Sequence, residues 1–224
     1  MTKFSASQKL AAETIGSAIL VATVVGSGIM ANNLAGGNMA IALLGNTLPT
    51  GAILVVLISI LGPISGAHFN PAVSLVFALR KEIAWPTLAQ FIVAQVIGAC
   101  FGSIIANLMF DLPAIEISTH LRDGTGQLIS ECIATFTLIG AILGGLRFAP
   151  QAIPQLVGLT ITAAYWFTAS TSFANPAVAI ARTLSNTFAG IAPSSVGPFI
   201  ICEITGALAG LVFWQWLFKG KPNT

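Results

Sequence analysis

Two copies of one tripeptide carry most of the chemistry this sequence offers. Asn70-Pro71-Ala72-Val73 recurs as Asn175-Pro176-Ala177-Val178, 105 residues on (70 to 175). Proline favours the first turn of a helix, where its missing N–H would have no partner in any case. Asparagine in front of it is among the best N-cap residues. Each copy stands before an apolar run and so predicts the start of a short helix. A helix N-terminus carries about half a positive charge, and a capping amide keeps its NH2 group free to donate. Two such tips meeting in a shared lumen would hand hydrogen bonds to a neutral solute and repel cations. One copy alone would say only that a helix begins there.

The elements around these tips read as membrane helices. Six apolar segments fall at roughly 11–31, 40–62, 86–110, 127–147, 153–170 and 196–218, each close to the ~20 residues a span needs. Two further stretches, 68–79 and 174–184, carry the tripeptides and are too short to cross. The composition agrees: 55% of the 224 residues are hydrophobic and 7% charged, against about 25% charged in soluble domains. The expected fold is therefore an all-α membrane protein, a single domain over 1–224, with six transmembrane helices and two re-entrant half-helices. Lys3 and Lys9 before the apolar stretch Ile15 to Met30 resemble a signal peptide. Glu13 inside that segment, and its counterpart later in the chain, favour a retained first span.

The counterpart belongs to an internal repeat. Glu13 in Ala-Glu-Thr-Ile-Gly recurs as Glu131 in Ser-Glu-Cys-Ile-Ala, and Gln95-x-x-Gly98-x-x-x-Gly102 recurs as Glu203-x-x-Gly206-x-x-x-Gly210. We place the repeats at 1–115 and 116–224. Three spans is an odd number, so the second repeat enters the bilayer inverted. Inverted repeats put their functional site at the interface, near the midplane. Six spans leave both termini on one side, with Lys3, Lys9, Arg80, Lys81, Arg147, Lys219 and Lys221. The opposite loop, 111–126, has only Arg122 beside Asp111, Glu116 and Asp123. This bias places both termini in the cytoplasm and the protein in the cell membrane.

The Ser65-Gly66-Ala67-His68-Phe69-Asn70-Pro71-Ala72-Val73 segment and the second Asn-Pro-Ala resemble the aquaporin (major intrinsic protein) family, and the likeness runs from about 10 to 218. The resemblance implies one pore per protomer, a homotetramer, and passive flux of small uncharged solutes. The Asn-Pro-Ala residues Asn70, Pro71, Ala72, Asn175, Pro176 and Ala177 would meet at the pore midplane. Members usually place an arginine directly after the second tripeptide, and this chain has Val178 there. The remaining filter positions, carried over by spacing, are Thr50, Ala163 and Ser172. Four small or aliphatic residues imply a wide, weakly polar constriction for glycerol-like or metalloid hydroxide molecules. A bacterial branch with valine in this place is associated with neutral arsenicals.

Arg182 lies one turn beyond Val178, where it either replaces part of the lost charge, or snorkels to the interface or pairs within a loop. Buried ionisable residues in spans are functional by default, but the resemblance assigns Glu13 and Glu131 to bracing the re-entrant loops, with His68 pairing within its own. Gly98, Gly102, Gly206 and Gly210 fit close helix contacts. Cys100, Cys132 and Cys202 sit in apolar runs and read as packing residues, without disulfide or metal spacing. No cofactor is expected, and a net charge of +2 with scattered basic residues gives no case for nucleic acid. An enzyme has little to work with, since His68 and His120 are the only histidines. A strict water channel and a coupled secondary transporter, which also uses broken helices, stand as the alternatives.

Overall fold

The computed structural model describes residues 4–220, so Lys3 and Lys221 of the charge argument lie outside it. Among the described residues eight α-helices follow one another: α1 (Ala6–Leu34), α2 (Met39–Ser65), α3 (Pro71–Leu79), α4 (Trp85–Met109), α5 (Thr125–Phe148), α6 (Ile153–Phe167), α7 (Pro176–Ala181) and α8 (Pro193–Leu217). The described residues contain no strand. Helices α1, α2, α4, α5 and α8 are long and apolar enough to cross a membrane. The segment expected at 153–170 is shorter. Helix α6 has 15 residues, about 22 Å at 1.5 Å per residue, and a 3-10 turn at Pro150–Ala152 extends its start. It stops at Thr168, whose backbone turns extended to begin the second re-entrant loop. The short helix α7 likewise fills only 176–181 of the expected 174–184, and Arg182–Leu184 continue it as a 3-10 turn.

The packing repeats itself between the halves. Helix α1 lies against α2 and α4, as α5 lies against α6 and α8. Helices α2 and α6 touch each other, α7 packs on α4, and α3 packs on α8. Exchanging the first four helices with the last four leaves this pattern unchanged. Small residues let the backbones approach. A Cβ on Gly98 or Gly102 would overlap the carbonyls of Thr14 or Ala18 on α1, and one on Gly206 would overlap Cys132 on α5. Gly210 is looser, with Phe136 O at 3.1 Å.

Large apolar side chains stay exposed on the outside, among them Leu34, Ile60, Leu159, Val212 and Trp216. The charged and amide side chains of Glu13, Gln95, Glu131 and Glu203 are instead wholly buried. Oil faces out and polar groups face in, the arrangement lipid requires.

Candidate pore and its selectivity site

The backbone leading into each Asn-Pro-Ala is held in an unusual conformation. Ala67 (φ 50°), Phe69 (φ 49°), Thr171 (φ 64°), Ser172 (φ 53°) and Ala174 (φ 48°) are all left-handed. Each such non-glycine residue costs roughly 1–3 kcal/mol unless its surroundings enforce it. The buried acids do the enforcing. Glu13 accepts from Ser65 Oγ (2.6 Å), His68 N (3.0 Å), Phe69 N (2.7 Å) and Gln95 Nε2 (2.8 Å). Glu131 accepts from Phe173 N (2.9 Å) and Ala174 N (2.7 Å), the equivalent amides of the second loop. Glu203 adds an acceptor for Asn175 N at 3.0 Å. His68 meets Ser74 Oγ at 3.0 Å through Nδ1 and lies between the rings of Phe77 and Phe91.

Both asparagines cap their helices. Asn70 Oδ1 accepts from Ala72 N (2.9 Å) and Val73 N (3.4 Å), and Asn175 Oδ1 from Ala177 N (3.0 Å) and Val178 N (3.4 Å). Their amide nitrogens cross over. Asn70 Nδ2 donates to Ala174 O at 2.7 Å, and Asn175 Nδ2 to Phe69 O at 2.8 Å. The half-helix tips therefore abut, with Pro71 and Pro176 at their first positions and Ala72 and Ala177 fully buried behind them.

A cavity of about 220 Å³ runs past this junction. Its walls are largely aliphatic, from Leu20, Val24, Leu54 and Leu138 among others, and its polar groups come from His68, Asn70, Asn175 and the residues near Thr50. Thr50, Ser172 and Val178 line it as the spacing suggested. Ala163 does not. It is exposed on the outside of α6, while Val157, Ile161 and Tyr165 form the i, i+4 stripe that faces the cavity. Two residues from that stripe is more than half a turn away. Tyr165 thus adds an aromatic ring to the lining, and its hydroxyl lies 3.4 Å from Thr50 Oγ1. Ser172 Oγ is buried without a hydrogen-bond partner among the described residues.

Arg182 also lines the cavity and does not snorkel, being 2% exposed. Its Nε donates to Ala189 O, and its guanidinium carbon stands 3.5 Å from the centre of the Phe173 ring. The loop before α5 brings a second cation to the same ring, with the Arg122 carbon 5.0 Å from its centre. Arg122 donates to Gly190 O (2.8 Å), Ser170 O (3.4 Å) and Phe188 O (3.3 Å). Burial pulls its pKa down to about 10, against the opposing pull of Tyr165 and Glu131. It stays charged at neutral pH. That loop is tied down by backbone bonds from Ser118 N to Thr183 O and from Ala192 N to His120 O. Sequence spacing gave no signal for Arg122, which lies 48, 66 and 68 residues from the three carbonyls it holds.

The profile of the Major intrinsic protein family matches residues 1–164. The chain belongs to this family. Its members are membrane channels for water and small neutral solutes. The sequence is 54% identical to aquaglyceroporin AqpS of Rhizobium meliloti (strain 1021) over 219 residues, covering 98% of this chain and 94% of that one. Maize aquaporin NIP1-1 is 32% identical over 224 residues, 96% of this chain and 77% of its own length. The fold matches the X-ray structure of the aquaglyceroporin from Plasmodium falciparum with a TM-score of 0.69, at 22% identity and over 96% of each chain. As a major intrinsic protein the chain is a multi-pass channel built from spans and re-entrant half-helices.

Proposed function

We propose that this channel passes neutral hydroxylated solutes larger than water, glycerol-like molecules and neutral metalloid hydroxides such as arsenous acid. The observation that carries this reading is Val178 in the position of the usual filter arginine, beside the hydroxyls of Thr50, Tyr165 and Ser172. An apolar side chain accommodates a carbon backbone, and hydroxyls at hydrogen-bonding reach accept and donate to its oxygens. Tyr165 makes the constriction amphipathic rather than uniformly small. Asn70 and Asn175 with their prolines and alanines form the midplane contact, and Glu13, Glu131 and His68 brace the loops that hold it. Arg182 supplies the fixed charge at the mouth beyond Val178. The similarity to a relative named as an aquaglyceroporin supports the same solute class.

In this reading the protein sits in the cell membrane as a homotetramer with one pore per protomer. The repeats are 1–115 and 116–224, and both termini are cytoplasmic. Stopped-flow measurement on proteoliposomes tests the solute class with water, glycerol and arsenous acid. All three should cross well above empty vesicles, without saturation and without response to a proton gradient. Passage of water alone overturns the proposal, and flux that saturates or follows a proton gradient points to a coupled transporter.

A further inference from the structure

We propose that Arg122 is a second specificity-determining residue of this pore. Its buried charge joins that of Arg182 in a two-cation collar around Phe173, and the collar bars cations from the mouth. The inference rests on the reading above, in which solutes pass Arg182. Both guanidinium carbons lie within contact range of one ring, so their separation cannot exceed the sum of 3.5 and 5.0 Å. Neither has an ion-pair partner among the described residues, where the one ion pair is Arg80 with Glu82. The acids of the same loop do not reach them: Glu116 accepts from Asn186 Nδ2 at 3.2 Å instead.

Two buried cations without a carboxylate are costly, and proteins normally pair such charges or replace them. Here three carbonyls and an aromatic face compensate Arg122. A neutral donor such as glutamine would hold some of those carbonyls at lower cost. What it would lack is the charge. In a water-poor passage a fixed charge acts over several ångströms with little screening. Arg122 also joins the loop carrying Ser172, through Ser170 O, to the segment that follows Arg182, through Phe188 O and Gly190 O. It is thus a positioning residue as well as a charge.

Proteoliposomes carrying the intact protein, Arg122→Gln, Arg122→Lys and Arg182→Gln test this by potassium leak set against glycerol and water flux. Arg122→Gln should raise leak relative to neutral flux by about tenfold, as should Arg182→Gln. Arg122→Lys should keep leak low while neutral flux falls, because the charge stays and the three-carbonyl grip is lost. Equal loss of neutral flux in both Arg122 variants with no added leak would make the residue a brace only and overturn the proposal. So would an Arg122→Gln protein indistinguishable from the parent. If Arg122→Gln fails to fold, Arg122→Met, neutral and of similar length, replaces it: raised leak supports the charge role, and leak equal to that of Arg122→Lys overturns it. If the parent passes water alone, the solute reading falls, and the leak ratio still decides Arg122.

Discussion

The two re-entrant loops solve one backbone problem with different partners. In the first, a single carboxylate does nearly everything: Glu13 takes four donors, and Gln95 links it to Ser74 on the nine-residue helix α3. In the second, the work is divided. Glu131 takes two amides, Glu203 holds Asn175, and Arg122 grips three carbonyls from outside. Helix α7 has only six residues, and Val178, Arg182 and the unpaired Ser172 hydroxyl all belong to this half. On the proposed function, the first loop is mainly scaffold, and the second carries the groups that discriminate.

Removing the acids should separate the two most strongly. Glu13→Ala and Glu131→Ala each strand buried amides, at about 1–3 kcal/mol per group. Glu13→Ala strands more donors and should give the larger drop in melting temperature, read by size-exclusion after heating in detergent. If Glu131→Ala were the worse of the two, the scaffold reading of the first loop would be broken.

Exchanging Gln95 and Glu203, the counterparts in the two repeats, sharpens the contrast at smaller scale. Gln95→Glu sets a second carboxylate against Glu13 and loses two donated bonds, so it should cost on the order of 3 kcal/mol. Glu203→Gln keeps an acceptor for Asn175 N and should stay within about 1 kcal/mol of the parent, with neutral flux retained. Equal losses would mean that the two positions are interchangeable after all.

The smallest expected effect concerns pH. His120 is held below its ordinary 6.5 by burial and then by Arg122 and Arg182, so it is neutral above that value. Arg122 has its pKa lowered to about 10 and keeps its proton below it. Cation leak should therefore be flat from neutrality to about pH 8, below the lowered values of both Arg182, about 9, and Arg122, about 10. A step near neutrality, seen by repeating the potassium measurement across external pH, would assign the barrier to another group.

Much of this was readable from the residues. Asn-Pro-Ala states its own local structure, because a cap followed by proline has one favourable use, and repetition brought the two tips together. The long spans were readable from length and apolarity. Helix α6 was harder. Its lipid-facing and cavity-facing sides both carry large apolar residues, Leu159 and Trp166 on one and Val157 and Ile161 on the other, so apolarity does not tell which side meets the lumen, and the cavity is lined by Tyr165 where spacing had suggested Ala163. Its end was also misplaced, since Thr168-Ala169-Ser170 hold no charge, glycine or proline to mark the stop, while the backbone has already left the helix. Arg122 was read as a loop charge because nothing local reveals which distant carbonyls it holds. For Arg182, burial against Phe173 excludes the interface, and its bond to Ala189 O is the loop pairing that the sequence also allowed.

The crossed amide bonds, Asn70 to Ala174 and Asn175 to Phe69, also bear on how the protein is made. During synthesis the first half-helix leaves the ribosome about a hundred residues before the carbonyl that its asparagine needs. Until then its tip has no complement across the junction, although Glu13 and Gln95 already hold the loop behind it. The conduit is closed late, by the last third of the chain, and chains truncated before that point should lack the junction entirely.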